Sequence, residues 1–226
     1  MRAVSGFQMR QMDRCAREEY RIPELVLMEH AGTAVARKVR QLVAPSRKGV
    51  RKVLIFAGGG ANGGDGFVTA RHLDNWAIPV TVVLTASPER VAGAARVNLE
   101  ILRRLSIPIR KMTSLREWKR WSAGRHRFGL IVDALLGTGV SGQVREPVRS
   151  AILWINRQRC PVVSVDLPSG LSAETGFPCD VAVKATSTVT FGLPKVGMMS
   201  RQGRRFTGRV TVADISLPRA LIGWTS

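Results

Sequence analysis

Apolar residues recur at three- and four-residue intervals at Leu25, Met28, Ala31, Val35, Val39 and Leu42, the stripe of an amphipathic helix that Pro23 is placed to start and Pro45 to stop. The stretch Gln8 to Tyr20 before it has helical character with little apolar content. A basic turn, Ser46 to Arg51, leads into a different pattern, the unbroken apolar run Val53 to Ala57 after Lys52. Such a run predicts a strand buried on both faces. It ends in the glycine-dense segment Gly58 to Gly66, read as a loop, after which helical spacing resumes through Phe67, Ala70 and Leu73.

The same alternation continues along the chain. Strands are predicted over 78–85, 107–109, 128–134 and 161–166, and helices over 88–105, 115–121 and 147–156. After Gly176 the pattern weakens, with strands expected over 186–191 and 210–212 on either side of a glycine-spaced basic loop, Met198 to Gly208. Near-continuous apolar strands separated by amphipathic helices specify a mostly parallel sheet covered on both faces, a three-layer α/β/α Rossmann-like sandwich. With neither linker nor repeat, residues 1–226 read as one domain with an irregular C-terminal edge.

Composition narrows the partners. A chain of 226 residues buries about 70% of its extended surface on folding, so it needs no disulfide or metal staple. The 35 basic and 16 acidic residues give +19, and with lysine at only seven positions the other 28 are arginines. Such a surplus admits nucleic acid as a partner but demands one concentrated face, which a total cannot reveal. Cys15, Cys160 and Cys179 have no CxxC spacing, and an odd count fits a reducing compartment. No signal-like or membrane-length apolar segment stands in the sequence, so a cytoplasmic protein is expected.

In open α/β sheets ligands bind beyond the carboxyl ends of strands, where three of the few acids stand: Asp65, Asp133 and Asp166. Successive amides of Gly58 to Gly66 are suited to an anion at the following helix start. The absence of a Gly-Lys-Ser/Thr continuation disfavours P-loop chemistry. The segment Asp133 to Gln143 offers a second glycine-rich wrap, and Asp166-Leu167-Pro168-Ser169-Gly170 a third strand end. Asn62, Asp133 and Ser169 together supply oxygens suited to a hard cation, with Asp166 left for ligand or proton transfer. His30, His72 and His126 lack metal spacing, and Ser169 lies in no nucleophile elbow. Trp118 and Trp121 among basic residues suit either base stacking or a partly buried amphipathic helix.

Several blocks together resemble the YjeF N-terminal domain family over about residues 8–218: Gln8-Met9-Arg10 with Asp13, Leu27 to Gly32, Gly58 to Leu73, Asp133 to Gly142, Val165 to Gly176, and Thr190 to Gly197. The resemblance implies a Rossmann-like, commonly dimeric domain that epimerises the S and R forms of hydrated NADH and NADPH. A separate dehydratase, of which nothing is visible here, completes that repair. It further implies a potassium ion at Asn62, Asp133 and Ser169. Contacts to the hydrated dinucleotide are implied at Ala61, Asn62, Gly63, Gly64 and Asp65, at Gly137, Thr138, Gly139, Val140, Ser141, Gly142 and Gln143, and at Asp166. For the proton transfer of epimerisation, Asp133 and Asp166 are the candidates, with Asp133 preferred. Gly59, Ala61 and His30 replace the family's usual proline and two asparagines, and relatives of the domain also serve as non-enzymatic modules for RNA or protein. A non-catalytic module binding RNA, nucleotide or protein partners therefore stands as the alternative.

Overall fold

The unbroken apolar runs become the centre of a seven-stranded sheet. In the computed structural model, which describes residues 2–43, 52–124, 126–140 and 142–223, the strands are β1 (Val53–Ala57), β2 (Val80–Leu84), β3 (Ile109–Lys111), β4 (Leu130–Ala134), β5 (Val162–Val165), β6 (Ser187–Phe191) and β7 (Arg209–Ala213). Their order is β3-β2-β1-β4-β5-β6-β7, and every pairing among them is parallel. The sheet is thus wholly parallel, and the C-terminal edge expected to be irregular carries two regular strands. The expected stop at Pro45, the turn Ser46 to Arg51 and the proposed contact Ser141 lie outside the described residues.

Nine helices accompany the strands among the described residues: α1 (Gly6–Glu18), α2 (Glu24–Leu42), α3 (Ala61–Asn75), α4 (Gly93–Arg104), α5 (Leu115–Ser122), α6 (Val148–Ile155), α7 (Val196–Met199), α8 (Arg204–Thr207) and α9 (Arg219–Ile222). Strand alternation divides the core. Val53, Ile55, Ala57, Val82 and Val132 face the side packed by α1 to α4, whereas Leu54, Phe56, Val83 and Ile131 face α5 and α6. The period of two along each strand therefore yields the three layers.

Three boundaries differ from expectation. The helix expected over 88–105 is a 3-10 turn, Pro88–Arg90, followed by α4, because Gly93 at φ +57° breaks the helical path. The strand expected at Ile107 to Ile109 begins two residues later, after Ser106 turns through a positive φ. The basic loop Met198 to Gly208 contains helical turns, α7 ending within it and α8 inside it.

The order reverses between β1 and β4: the chain steps outward from β1 through β2 to β3, then returns to the other side of β1. This switch point parts the connections leaving the two strands and opens a crevice at their carboxyl ends. The chain's first residues reach the same neighbourhood. Val4 forms a parallel bridge with Lys195, donating to Pro194 O at 2.9 Å and accepting from Val196 N–H at 2.8 Å. Residues near both ends of the described chain are thereby brought to the switch point.

Candidate active site

At the end of β1 the segment expected to be a long glycine loop is mostly helix. Only Gly58 to Gly60 separate β1 from α3, so Gly63, Gly64 and Gly66 lie inside the helix. Close packing is what demands glycine there: a Cβ at Gly63 would stand 2.0 Å from Gly58 O, and one at Gly66 2.8 Å from the Ala134 Cβ. Gly60 caps α3 without a side-chain hydrogen bond, leaving the first amides of the helix free to face an anion.

The three strand ends meet around Asp133. This carboxylate is 0% exposed. It accepts from Ser164 Oγ at 2.8 Å, Ser169 N–H at 2.9 Å, Ser169 Oγ at 2.5 Å and Leu135 N–H at 3.4 Å. Burial pushes its pKa up, while the donors from Ser169, Ser164 and Leu135 pull the other way. Asn62 donates to Leu136 O at 2.9 Å, and Ser169 Oγ accepts from Leu136 N–H at 2.9 Å. The structure therefore brings Asn62, Asp133 and Ser169 together, with Leu136 between them. One carboxylate with hydroxyl, amide and carbonyl oxygens is a donor set that fits a hard, weakly charged cation. Among the described residues no cluster of three or more His, Cys, Asp or Glu is arranged for a metal.

A cavity of about 280 Å³ lies beside the start of α3, lined among others by Ala61, Asp65, Asp13, Arg10, Glu24 and Phe191. Asp65 is 8% exposed, and burial, reinforced by the charges of Asp166, Asp13 and Glu24, drives its pKa well above the usual carboxylate value. Burial likewise pushes Asp13 up to about 6, with Asp166 adding to the effect and Lys195 and Arg17 opposing it. Asp13 is thus poised to exchange a proton near neutrality.

Asp166 follows β5 in the left-handed region at φ +59°, a conformation a non-glycine side chain keeps only where its surroundings hold it. Its Oδ1 accepts from Thr190 Oγ1 at 3.1 Å, from Phe191 N–H at 3.1 Å and from the Lys195 ammonium, whereas Oδ2 has no hydrogen-bond partner among the described residues. Lys195 is 0% exposed and also donates to Thr190 Oγ1 at 3.0 Å. Asp166 accepts from the amide of Phe191, a residue of the cavity wall, and its charge is felt by both Asp13 and Asp65.

The second glycine segment lies apart from this cavity. Gly139, Val140 and Gln143 line a neighbouring space of about 370 Å³ beside Leu136 and Arg145. Arg10, on the wall of the first cavity, donates to Thr138 O at 3.0 Å and links the two. Gly137 sits against Asn62, a Cβ there standing 3.5 Å from the Asn62 Cβ.

Of the two acids expected to move a proton, Asp133 is shut away. Both its oxygens accept hydrogen bonds within the protein, and these bonds brace the strand ends. Asp13, to which the sequence assigns no role, lines the cavity instead, and Lys195, equally unassigned, is buried against Asp166. Their signal was present in the blocks around Gln8 to Asp13 and Thr190 to Gly197, which the Val4–Lys195 bridge and the packing of Met9 against Gly192 bring together. Among the histidines, His72 pairs with Glu29 at 2.8 Å, and His126 lies 2.6 Å from Trp121 O.

The profile of the YjeF-related protein N-terminus matches residues 24–197. The chain belongs to that family. The same fold is seen in the crystal structure of yeast ynu0, YNL200c, with a TM-score of 0.82 at 23% identity, over 99% of this chain and 94% of that one. Among curated YjeF relatives, the NAD(P)H-hydrate epimerase of Pirellula staleyi is 38% identical over 94% of this chain and 92% of its own length. The bifunctional NAD(P)H-hydrate repair enzyme Nnr of Moorella thermoacetica is 41% identical over 98% of this chain. The chain spans only 42% of the length of that bifunctional relative. No helix among the described residues is long and apolar enough to cross a membrane.

Proposed function

We propose that this YjeF-family chain epimerises the S and R forms of hydrated NADH and NADPH. The observation that carries the reading is the cavity beside the start of α3, lined by Asp13 and Asp65, with the first amides of α3 uncapped by a side chain and the Asp166–Lys195 pair joined to its wall through Phe191. Its similarity to an epimerase along nearly the whole of both chains supports the same reading. The hydrated nicotinamide enters the acid-lined cavity, the pyrophosphate lies across the first amides of α3 near Arg10, and the remainder of the dinucleotide follows Gly137 to Gln143.

In the hydrated ring a hydroxyl sits on a carbon next to the ring nitrogen. The protonated carboxyl of Asp13 gives its proton to that hydroxyl, the C–O bond breaks, and the nitrogen lone pair forms a planar iminium as water leaves. Water then adds to the opposite face and surrenders its proton to Asp166 Oδ2, the oxygen without a protein partner. Two acids on opposite faces make the step reversible, since each turnover leaves the proton placed for the return. Lys195 fixes Asp166 in position. Asn62, Asp133 and Ser169 would hold a potassium ion, which when bound would neutralise charge between the strand ends. The reading includes a homodimer formed through exposed Leu25, Val26 and Val97 on α2 and α4. It also includes a reducing cytoplasmic setting for the three free thiols, and a separate dehydratase that consumes the product.

The test is epimerisation of purified S and R hydrates, followed by chiral separation against enzyme-free exchange, with and without potassium. Accelerated exchange supports the reading. No acceleration for either hydrate, with tight and salt-sensitive RNA binding, would favour a non-catalytic module instead.

A further inference from the structure

At the opposite end of the sheet, under edge strand β3, a trough of about 930 Å³ opens between α5 and the starts of β1 and β2. Five cations, Lys52, Arg110, Lys111, Arg120 and Arg127, surround it with one acid, Glu117. That acid is already committed, its Oε2 accepting from the Thr113 and Ser114 amides at 2.8 and 3.0 Å. The rim is therefore a concentrated positive face with little internal compensation.

Aromatic rings form one wall. His126 stacks on Trp121 with centroids 4.1 Å apart and planes at 21°, and Phe128 lies nearly parallel to His126 at 16°. All three line the trough and are partly exposed. On the floor, Thr81 is only 7% exposed, lines the same space, and its buried Oγ1 has no hydrogen-bond partner among the described residues. A buried hydroxyl without a partner costs free energy that a polar ligand atom recovers. Cations alone would suit any anion; parallel rings and an orphan hydroxyl select one with a planar, hydrogen-bonding head.

We propose that this trough is a second ligand site, distinct from the epimerase cavity, and that it binds a nucleoside phosphate. The base lies against the Trp121–His126–Phe128 wall with an edge on Thr81 Oγ1, and the phosphate is held by Arg110, Arg127 and Lys52. The same chemistry is presented by a free nucleotide and by a nucleotide within a single strand, both of which fit an open trough.

Titration of the full chain with AMP, with a single-stranded RNA hexamer and with inorganic pyrophosphate, followed by tryptophan fluorescence and calorimetry, tests the proposal. AMP is expected to bind saturably, and Thr81→Val and the surface pair R110Q/R127Q each to weaken it at least fivefold. Epimerisation rates of these variants stay at the wild-type level, because none of the three residues belongs to the epimerase cavity. Binding of the hexamer much tighter than AMP identifies a strand as the source, and equal binding identifies the free nucleotide. Pyrophosphate binding as tightly as AMP, or AMP binding unchanged in both variants, overturns the proposal. The outcome is independent of whether the chain proves to be an epimerase.

Discussion

Replacing Asp13 by asparagine separates what the cavity costs the fold from what it does for catalysis. Burial and the neighbouring Asp166 raise the Asp13 carboxyl from its ordinary 3.8 to about 6. The native state thus binds a proton more tightly than the unfolded chain, so stability falls as pH rises between these two values. Below about pH 4 the group is protonated in both states and contributes no difference. Above about pH 6 the penalty is complete, and at about 1.4 kcal/mol per tenfold change in proton affinity it amounts to about 3 kcal/mol. A neutral asparagine carries no such penalty and also removes a charge that burdens Asp65. Urea unfolding at a series of pH values should show D13N more stable than wild type by about 3 kcal/mol at pH 8, equivalent to about 6 to 12 °C in Tm for a chain this long. The gap should close toward pH 4. Over the same range the epimerisation rate of D13N should drop by about a hundredfold or more, the usual contribution of a positioned proton donor. A stability gap that is the same at pH 4 and pH 8 would refute the electrostatic account, and an unchanged rate would remove Asp13 from the proton step.

Other consequences follow from the same geometry. Lys195→Met leaves Asp166 without its buried counter-charge and should destabilise the chain by about 3 to 5 kcal/mol in urea unfolding. Asp133→Ala strips the partners from Ser164, Ser169 and Leu135 and should lower the urea midpoint sharply. Asp133→Asn, if soluble, should retain measurable epimerisation, since its surroundings make it a brace rather than a proton carrier. Gly63→Ala sets a methyl group against Gly58 O and should abolish soluble expression, whereas Gly60→Ala, with no atom within 4 Å of its Cβ, should express and unfold like wild type.

The parts of this fold visible in the sequence are those buried on both sides. β1 appears as an unbroken apolar run, and β2, β4 and β5 as apolar runs each carrying one polar residue (Thr81, Asp133 and Ser164), because helices cover each face and leave no alternating polar register. β7 was harder to delimit, since it is an edge strand with exposed and half-buried positions in the sequence RVTVA. The first turns of α3 were hidden for a different reason. Glycine has poor helix propensity, so Gly63, Gly64 and Gly66 read as loop, when their smallness lets a helix press onto the strand ends. Asp133, Ser169 and Asn62 are legible as a group because each lies at or shortly after the end of a strand that periodicity locates. Asp13 and Lys195 are not, since no local pattern links a polar helix near the start of the chain to a lysine after β6, and their meeting depends on a tertiary bridge.

That bridge has a kinetic consequence. Because Val4 docks against Lys195, α1 gains its final packing surface only once the chain has been made past β6, so the cavity is among the last features to close during synthesis. Until then the polar helix bearing Asp13 has no acidic neighbours from α3 and β5 to resist, and its carboxyl titrates as in a free peptide. The electrostatic strain of the site is therefore loaded in one late step, onto a sheet already able to bear it. Chains stalled before Lys195 emerges should leave α1 open to proteolysis while β1 to β5 are protected.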